Sequence, residues 1–299
     1  MFLELFINHI RHEKRYSQHT VTAYEHDLQQ FFLYLNPEDA PPAFLQPADI
    51  THHQVRGWMV SLIDQQMSPR TVGRKIVTLR KYFKFLLSLG RVTQNPAARV
   101  VAPKVPKILP VVVDSDRLTN LLDNSKHHFT DDFKGLRDKL VIEMLFGTGI
   151  RLAELLNIKE TDIDFYHKTV KVLGKRNKQR IVPLNAELIS LIKQYGEKKK
   201  NQNFDNNSLT LVVTDKGADA YPKLIYLIVQ KYLSYITIQD KRSPHILRHT
   251  FATTLLNNGA DLNAIKELLG HASLAATQVY THNSVERLKS IYKQAHPKA

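Results

Sequence analysis

Ser243-Pro244-His245-Ile246-Leu247-Arg248-His249-Thr250-Phe251-Ala252-Thr253 is the stretch on which the reading of this chain turns. Serine followed by proline is a helix-start pattern, with proline at the first helical position. His245 and Arg248, three apart, then share one face near that start. A helix N-terminus favours anions, and an imidazole and a guanidinium there add positive charge. Taken alone, an H-x-x-R turn is also an ordinary solvated surface. Three other segments give it context. Downstream lie Leu268-Leu269-Gly270-His271-Ala272-Ser273 and Thr277-Gln278-Val279-Tyr280-Thr281-His282; upstream lies Gly147-Thr148-Gly149-Ile150-Arg151-Leu152-Ala153-Glu154-Leu155.

The sequence lacks G-x-x-x-x-G-K-[ST], G-x-G-x-x-G after a strand, H-E-x-x-H and G-x-S-x-G. No ATP, NAD, metal or other cofactor is therefore expected, and any phosphate chemistry falls to side chains. In order and spacing, the G-T-G-x-R-x-x-E-L box, the H-x-x-R-H box, the L-G-H box and a tyrosine nine residues after His271 resemble the tyrosine recombinases, the phage integrase family. The resemblance covers nearly the whole chain. Within the family, the compact length and the ending Tyr292-Lys293-Gln294-Ala295-His296-Pro297-Lys298-Ala299 are most similar to the bacterial Xer recombinases.

The resemblance implies a two-domain DNA clamp: an N-terminal helical, SAM-like core-binding domain and a C-terminal catalytic domain. It implies site-specific cleavage and rejoining of DNA through a 3′-phosphotyrosine. Tyr280 is then the nucleophile. A phenol with a pKa near ~10 needs a proton acceptor, and His245 is the candidate base. Arg151 and Arg248 would bind the non-bridging phosphate oxygens with paired hydrogen bonds, and His271 would donate one more. Lys175, in a hairpin turn, would protonate the departing 5′-oxygen. Glu154 would orient an arginine or histidine without touching substrate. The phosphotyrosine conserves the energy of the broken bond, so resealing needs neither ATP nor metal. The implied partners are a double-stranded DNA recombination site and a tetramer on two duplexes, with a sister recombinase in a hetero-tetramer and a septal DNA translocase as activator. A C-terminal helix over Val285–Gln294, with Leu288, Ile291 and Tyr292 on one stripe, would couple neighbouring protomers or dock in cis. The roles in contention are Xer-type chromosome or plasmid dimer resolution and the integrase of a mobile element. A DNA-binding protein without catalysis and a type IB topoisomerase are more distant readings.

Around these boxes, residues 113–299 read as helix-dominated with one small antiparallel sheet. Helical patterns cover Asp116–Asp123, Asp132–Phe146 and Arg151–Asn157, and resume from Glu187, at Lys223–Thr237, Pro244–Asn257 and Leu262–Leu269. Thr169–Leu173 and Gln179–Pro183 alternate like strands around a Gly/Asn turn, with a third strand expected near Leu209–Thr214. Arg176 and Lys178 share that turn with Lys175 and could hold backbone phosphate. Residues 91–112, with Pro96, Pro103, Pro106 and Pro110, read as a semi-rigid basic linker.

Residues 1–90 read as four helices. The first is expected over Phe2–Arg15, the second is capped by Ser17, the third by a Thr51/Gln54 box and the fourth by Ser68-Pro69, ending at Gly90. From Asp64 to Asp114 there is no carboxylate, but there are ten cations: Arg70, Arg74, Lys75, Arg80, Lys81, Lys84, Arg91, Arg99, Lys104 and Lys107. A solvated face normally mixes signs, so this stretch reads as a surface shaped for phosphate. It accounts for much of a net charge of +14, from 42 Lys+Arg against 28 Asp+Glu in 299 residues. The absence of cysteine removes disulfides, thiolate metal sites and cysteine nucleophiles. The N-terminus does not read as a signal peptide and no apolar run spans a bilayer, so a cytoplasmic protein with no membrane partner is expected.

Overall fold

A computed structural model describes residues 2–36, 46–106, 112–124, 128–174, 178–204, 208–238, 242–270 and 290–295. The chain is mainly helical with one small sheet, and forms two compact units, Met1–Ile108 and Leu109–Ala299.

In the first unit, α1 (Phe2–Asn8) gives way to a wide π-turn (His9–Glu13), and Arg15 follows with a φ of 51°. The single helix expected over Phe2–Arg15 is thus divided. The wider turn comes where His9 stacks on Phe85, with ring centroids 4.7 Å apart, and Ile10 enters the core. Then come α2 (Gln18–Leu35), α3 (His52–Asp64) and α4 (Pro69–Ser88). Each begins where its cap predicts: the Ser17, Thr51 and Ser68 side chains accept from the Thr20, Gln54 and Thr71 amides. Gly90 takes the left-handed conformation (φ 65°) beyond α4. Phe6, Leu28, Phe31, Trp58, Ile76, Leu79 and Phe83 form the core.

Residues 91–100, read as the start of the linker, belong to this core. Val92, Ala97 and Val100 are buried in it, the Arg80 Nε donates to the Ala97 carbonyl (3.1 Å), and Asn95 Nδ2 donates to the Arg80 carbonyl (3.0 Å). The proline pattern marks an irregular backbone, not a free one.

The second unit is built on α6 (Phe133–Thr148), a helix buried on nearly every side. Before it lies α5 (Ser115–Asp123); after it come α7 (Leu152–Asn157), the meander β1 (Ile163–Asp164), β2 (Thr169–Leu173) and β3 (Gln179–Pro183), then α8 (Ala186–Lys200) and α9 (Pro222–Leu233). The antiparallel register pairs Val170 with Val182 and Val172 with Arg180. The third strand is β1, not 209–214. In that segment Leu211, Val212 and Val213 are buried in succession without alternation, and only isolated bridges form, Lys159 to Thr210 and Val213 to Asp219. The chain continues through α10 (Pro244–Asn257) and α11 (Leu262–Leu269), and residues 290–295 are helical. Tyr292 and Ala295 pack with Phe251, Leu255, Ile265 and Leu268. Tyr292 donates its hydroxyl to the Gly147 carbonyl (2.8 Å), and Asn258 Nδ2 donates to the Ala295 carbonyl (2.7 Å). The described part of the segment read for protomer contacts, residues 290–295, thus packs against its own chain; residues 285–289, Leu288 among them, lie outside the described residues. None of the described helices is long and apolar enough to cross a membrane.

Candidate functional site

Two helix ends create the site. α6 stops at Gly149 (φ 62°) and α11 at Gly270 (φ 63°). Side chains are excluded at the first: an added Cβ at Gly149 would stand 2.3 Å from Phe251. Both turns leave carbonyls at the negative end of a helix dipole, where cations are favoured. Three arginines take them. Arg248 on α10 donates from Nη1 to the Gly149 carbonyl and from Nη2 to the Leu269 carbonyl (2.7 Å). Arg180 on β3 donates from Nε to the Leu268 carbonyl (2.9 Å). Arg151, at the start of α7, donates from Nη2 to the Gly270 carbonyl (3.3 Å).

Glu154 ties the cluster together. Its Oε1 accepts from Arg151 Nη1 (2.8 Å) and Arg180 Nη1 (2.9 Å); its Oε2 accepts from the Arg151 amide (2.8 Å) and Arg180 Nη2 (2.8 Å). Burial alone would push this carboxyl up, but the Arg180 guanidinium and then Arg151 outweigh it and hold it at about 2. Burial and the like charges of Arg151 and Arg180 bring Arg248 down to about 10 against the pull of Glu154, so it stays charged at neutral pH. Three guanidinium groups against one carboxylate leave the cluster cationic. Of the three, Arg151 is the most exposed, at 26% of its side chain, while Arg180 is 5% exposed. Such a cluster, its guanidinium groups fixed by backbone carbonyls and Glu154, offers preorganised positive charge to an anion.

Among the residues expected at the site, Arg151, Glu154 and Arg248 are thus brought together. His245 is exposed on the first turn of α10, one turn before Arg248. Lys175, Arg176, His271 and Tyr280 lie outside the described residues, as does Lys107. The described neighbours of two of them adjoin the cluster: Gly270, which precedes His271, accepts from Arg151, and a Cβ on Gly174, which precedes Lys175, would stand 3.6 Å from Glu154 Oε1. Lys178 is exposed at the foot of the same turn. Arg180 was not expected. Its signal is parity: it shares the inward face of β3 with Val182, and a cation on an inward position needs a buried partner.

The cations of the first unit divide. Arg70 and Lys84 on α4 and Lys104 beyond it are exposed. Arg74 is ion-paired to Asp27 of α2, yet keeps 43% of its side chain in solvent. Lys81 donates to the Tyr16 hydroxyl (2.9 Å), which raises its pKa, and lies over the Tyr16 and Tyr24 rings. Arg80 is spent on the Ala97 and Val100 carbonyls. Lys75, read as a phosphate contact, is 3% exposed and bonded to Asp27 (2.9 Å) and Gln30; it is an internal cation. Asp27, wholly buried, also accepts from Thr78 (2.9 Å).

Comparison with known proteins agrees with this architecture. Residues 112–287 match the phage integrase family, and residues 3–90 match the phage integrase N-terminal SAM-like domain. The tyrosine recombinase XerC of Chlorobaculum parvum is 36% identical over 318 residues, covering 100% of this chain and 95% of that protein. The tyrosine recombinase XerC of Listeria innocua is 37% identical over 296 residues, covering 98% and 97%. The fold is shared with the XerH site-specific recombinase bound to palindromic difH substrate in a post-cleavage complex (TM-score 0.69, 23% identity, 91% of this chain and 78% of that one). It is shared also with the Tn1549 transposon integrase in complex with transposon right end DNA (TM-score 0.72, 18% identity, 97% and 98%).

Proposed function

The chain belongs to the phage integrase family of tyrosine recombinases, enzymes that break and rejoin DNA, and from that premise we propose that it recombines duplex DNA at a specific site through a 3′-phosphotyrosine on Tyr280, in Xer-type resolution of chromosome or plasmid dimers. The Tyr280 hydroxyl oxygen attacks the scissile phosphorus and passes its proton to His245. The bond from phosphorus to the 5′-oxygen breaks, and Lys175 protonates that oxygen as it leaves. Negative charge gathering on the non-bridging oxygens is met by Arg151 and Arg248, already fixed before the reaction begins, and by His271. Glu154 and Arg180 are positioning residues: they hold Arg151 and touch no substrate. A second 5′-hydroxyl then attacks the phosphotyrosine and reseals the strand, with the energy of the original bond retained. Strand exchange between two duplexes requires four protomers. The Xer role adds a sister recombinase and a septal DNA translocase as partners, and is favoured over a mobile-element role by XerC relatives that align along the whole chain.

One observation carries this reading. Arg248 and Arg151, from separate elements, are tied to the successive carbonyls of Leu269 and Gly270, immediately before His271 in the chain. The test is a nicked suicide duplex carrying a core site that the protein has itself enriched from a random pool. An SDS-stable protein–DNA adduct is expected from the wild type and none from Tyr280→Phe. Tight binding without any adduct would overturn the enzymatic reading, and an adduct from Tyr280→Phe would overturn the nucleophile.

A further inference from the structure

The outward face of α4 has a symmetry that its charge alone does not explain. At 100° per residue, positions 70, 74, 77, 81 and 84 fall within about 40° of one line along the helix. Four of them are cations, Arg70, Arg74, Lys81 and Lys84, and the fifth, Val77, is midway between Arg70 and Lys84. A single exposed valine is ordinary on a protein surface. This one is 41% exposed at the centre of a cationic stripe, while the opposite side of α4 buries Val72, Ile76, Leu79, Phe83 and Leu86 in the core. Its nearest charged neighbours on the stripe are tied sideways, Arg74 to Asp27 of α2 and Lys81 to Tyr16 just before α2.

Arg70 and Lys84 are 14 residues apart, about 21 Å along the helix axis. A major groove is about 12 Å wide between its phosphate walls. A helix entering it with cations near both ends meets phosphates at those ends and base edges at its middle. What stands at the middle here has no hydrogen-bonding atom. The base-edge group it can recognise is the C5-methyl of thymine, the apolar feature of the major groove.

We propose that Val77 is a specificity-determining residue that packs on the C5-methyl group of one thymine in each bound half-site, with the flanking cations holding the phosphates around it. The inference rests on the DNA-binding function proposed above. Its test uses duplexes enriched by the full-length protein from a random pool, with each thymine replaced singly by deoxyuridine, which removes only the methyl group. In the wild type, one such replacement weakens binding about fourfold, the worth of one buried methyl group. Val77→Ala, which a helix accepts readily, binds the thymine and deoxyuridine duplexes equally at that position, and Val77→Ile retains the discrimination. An enriched site at which every thymine-to-deoxyuridine effect is independent of residue 77, or at which Val77→Ala weakens all duplexes alike, overturns this inference and leaves the recombinase reading standing. Enrichment of no site at all overturns both.

Discussion

On α4, side chains of other segments hold three cations, Arg74 and Lys75 by Asp27 and Lys81 by Tyr16, while Arg80 is bound to the Ala97 and Val100 carbonyls and Arg70 and Lys84 are exposed. In the C-terminal unit Arg248 is held by backbone carbonyls of two helix ends, and Arg151 and Arg180 each by one such carbonyl and by a single carboxylate, Glu154, between them. The first arrangement spreads charge over a 20-residue helix and leaves Arg70, Arg74 and Lys84 exposed to water. The second concentrates three guanidinium groups where half-open helix ends fix their direction. A gripping surface needs charge, and tolerates side chains that move. A reacting phosphate needs donors at set positions, and carbonyls cannot rotate away as an aspartate can.

The comparison breaks most severely at Arg180. Arg180→Met leaves Glu154 buried with Arg151 alone, and the loss of one partner of a buried pair costs about 3–5 kcal/mol. Hydrogen exchange in peptides spanning 169–183 should rise accordingly, while fluorescence of Trp58, the chain's single tryptophan and part of the N-terminal core, should report an unchanged first unit. Unchanged protection would show that carbonyls alone hold the cluster.

A pH titration comes next. Because the folded-state pKa of Glu154 is depressed, from 4.5 to about 2, its pairing stabilises the C-terminal unit above pH 4.5 and the stabilisation is lost as pH falls towards 2. The difference in unfolding free energy between wild type and Glu154→Gln, read from urea titrations, should shrink over that window from about 3 kcal/mol to near zero. A difference that does not vary with pH would mean that the carboxylate's charge is not what the arginines recognise.

The smaller effect is at Asp27. Asp27→Asn removes a carboxylate from buried Lys75 but leaves an amide oxygen and Gln30, and should lower the stability of the first unit by about 1–3 kcal/mol, read from Trp58 fluorescence. No change would place Lys75 among cations that need no partner.

The parts legible in the sequence are those set by local rules. Ser17, Thr51 and Ser68 cap their helices through contacts three residues away, and β2 and β3 have the ends their alternation predicts. What escaped sequence reading is long-range. Lys75 reads as a member of an acid-free run because its partner Asp27 is 48 residues earlier. Arg180 goes unnoticed because its partner Glu154 is 26 residues before it, on another element. The run Leu211-Val212-Val213 carries no period from which a strand could be distinguished, and contacts elsewhere decided it. At the site, the boxes that hold Arg151, Glu154 and Arg248 were recognisable from sequence, but the carbonyls of Gly149, Leu269 and Gly270 that fix the arginines appear only in the fold.

The division of charge into grip and chemistry is tested most directly by measuring two quantities on one enriched duplex: the dependence of binding on salt, and the single-turnover rate of adduct formation at saturating protein. For Lys84→Ala, the slope of log K against log salt should become shallower by about 0.9, the share of one phosphate contact, with the saturating rate unchanged. For Arg151→Lys, the slope should hold while the rate falls about 100-fold or more, because a lysine keeps the charge and loses the forked donors. If both variants shift slope and saturating rate together, the two regions are one electrostatic surface and the account is wrong.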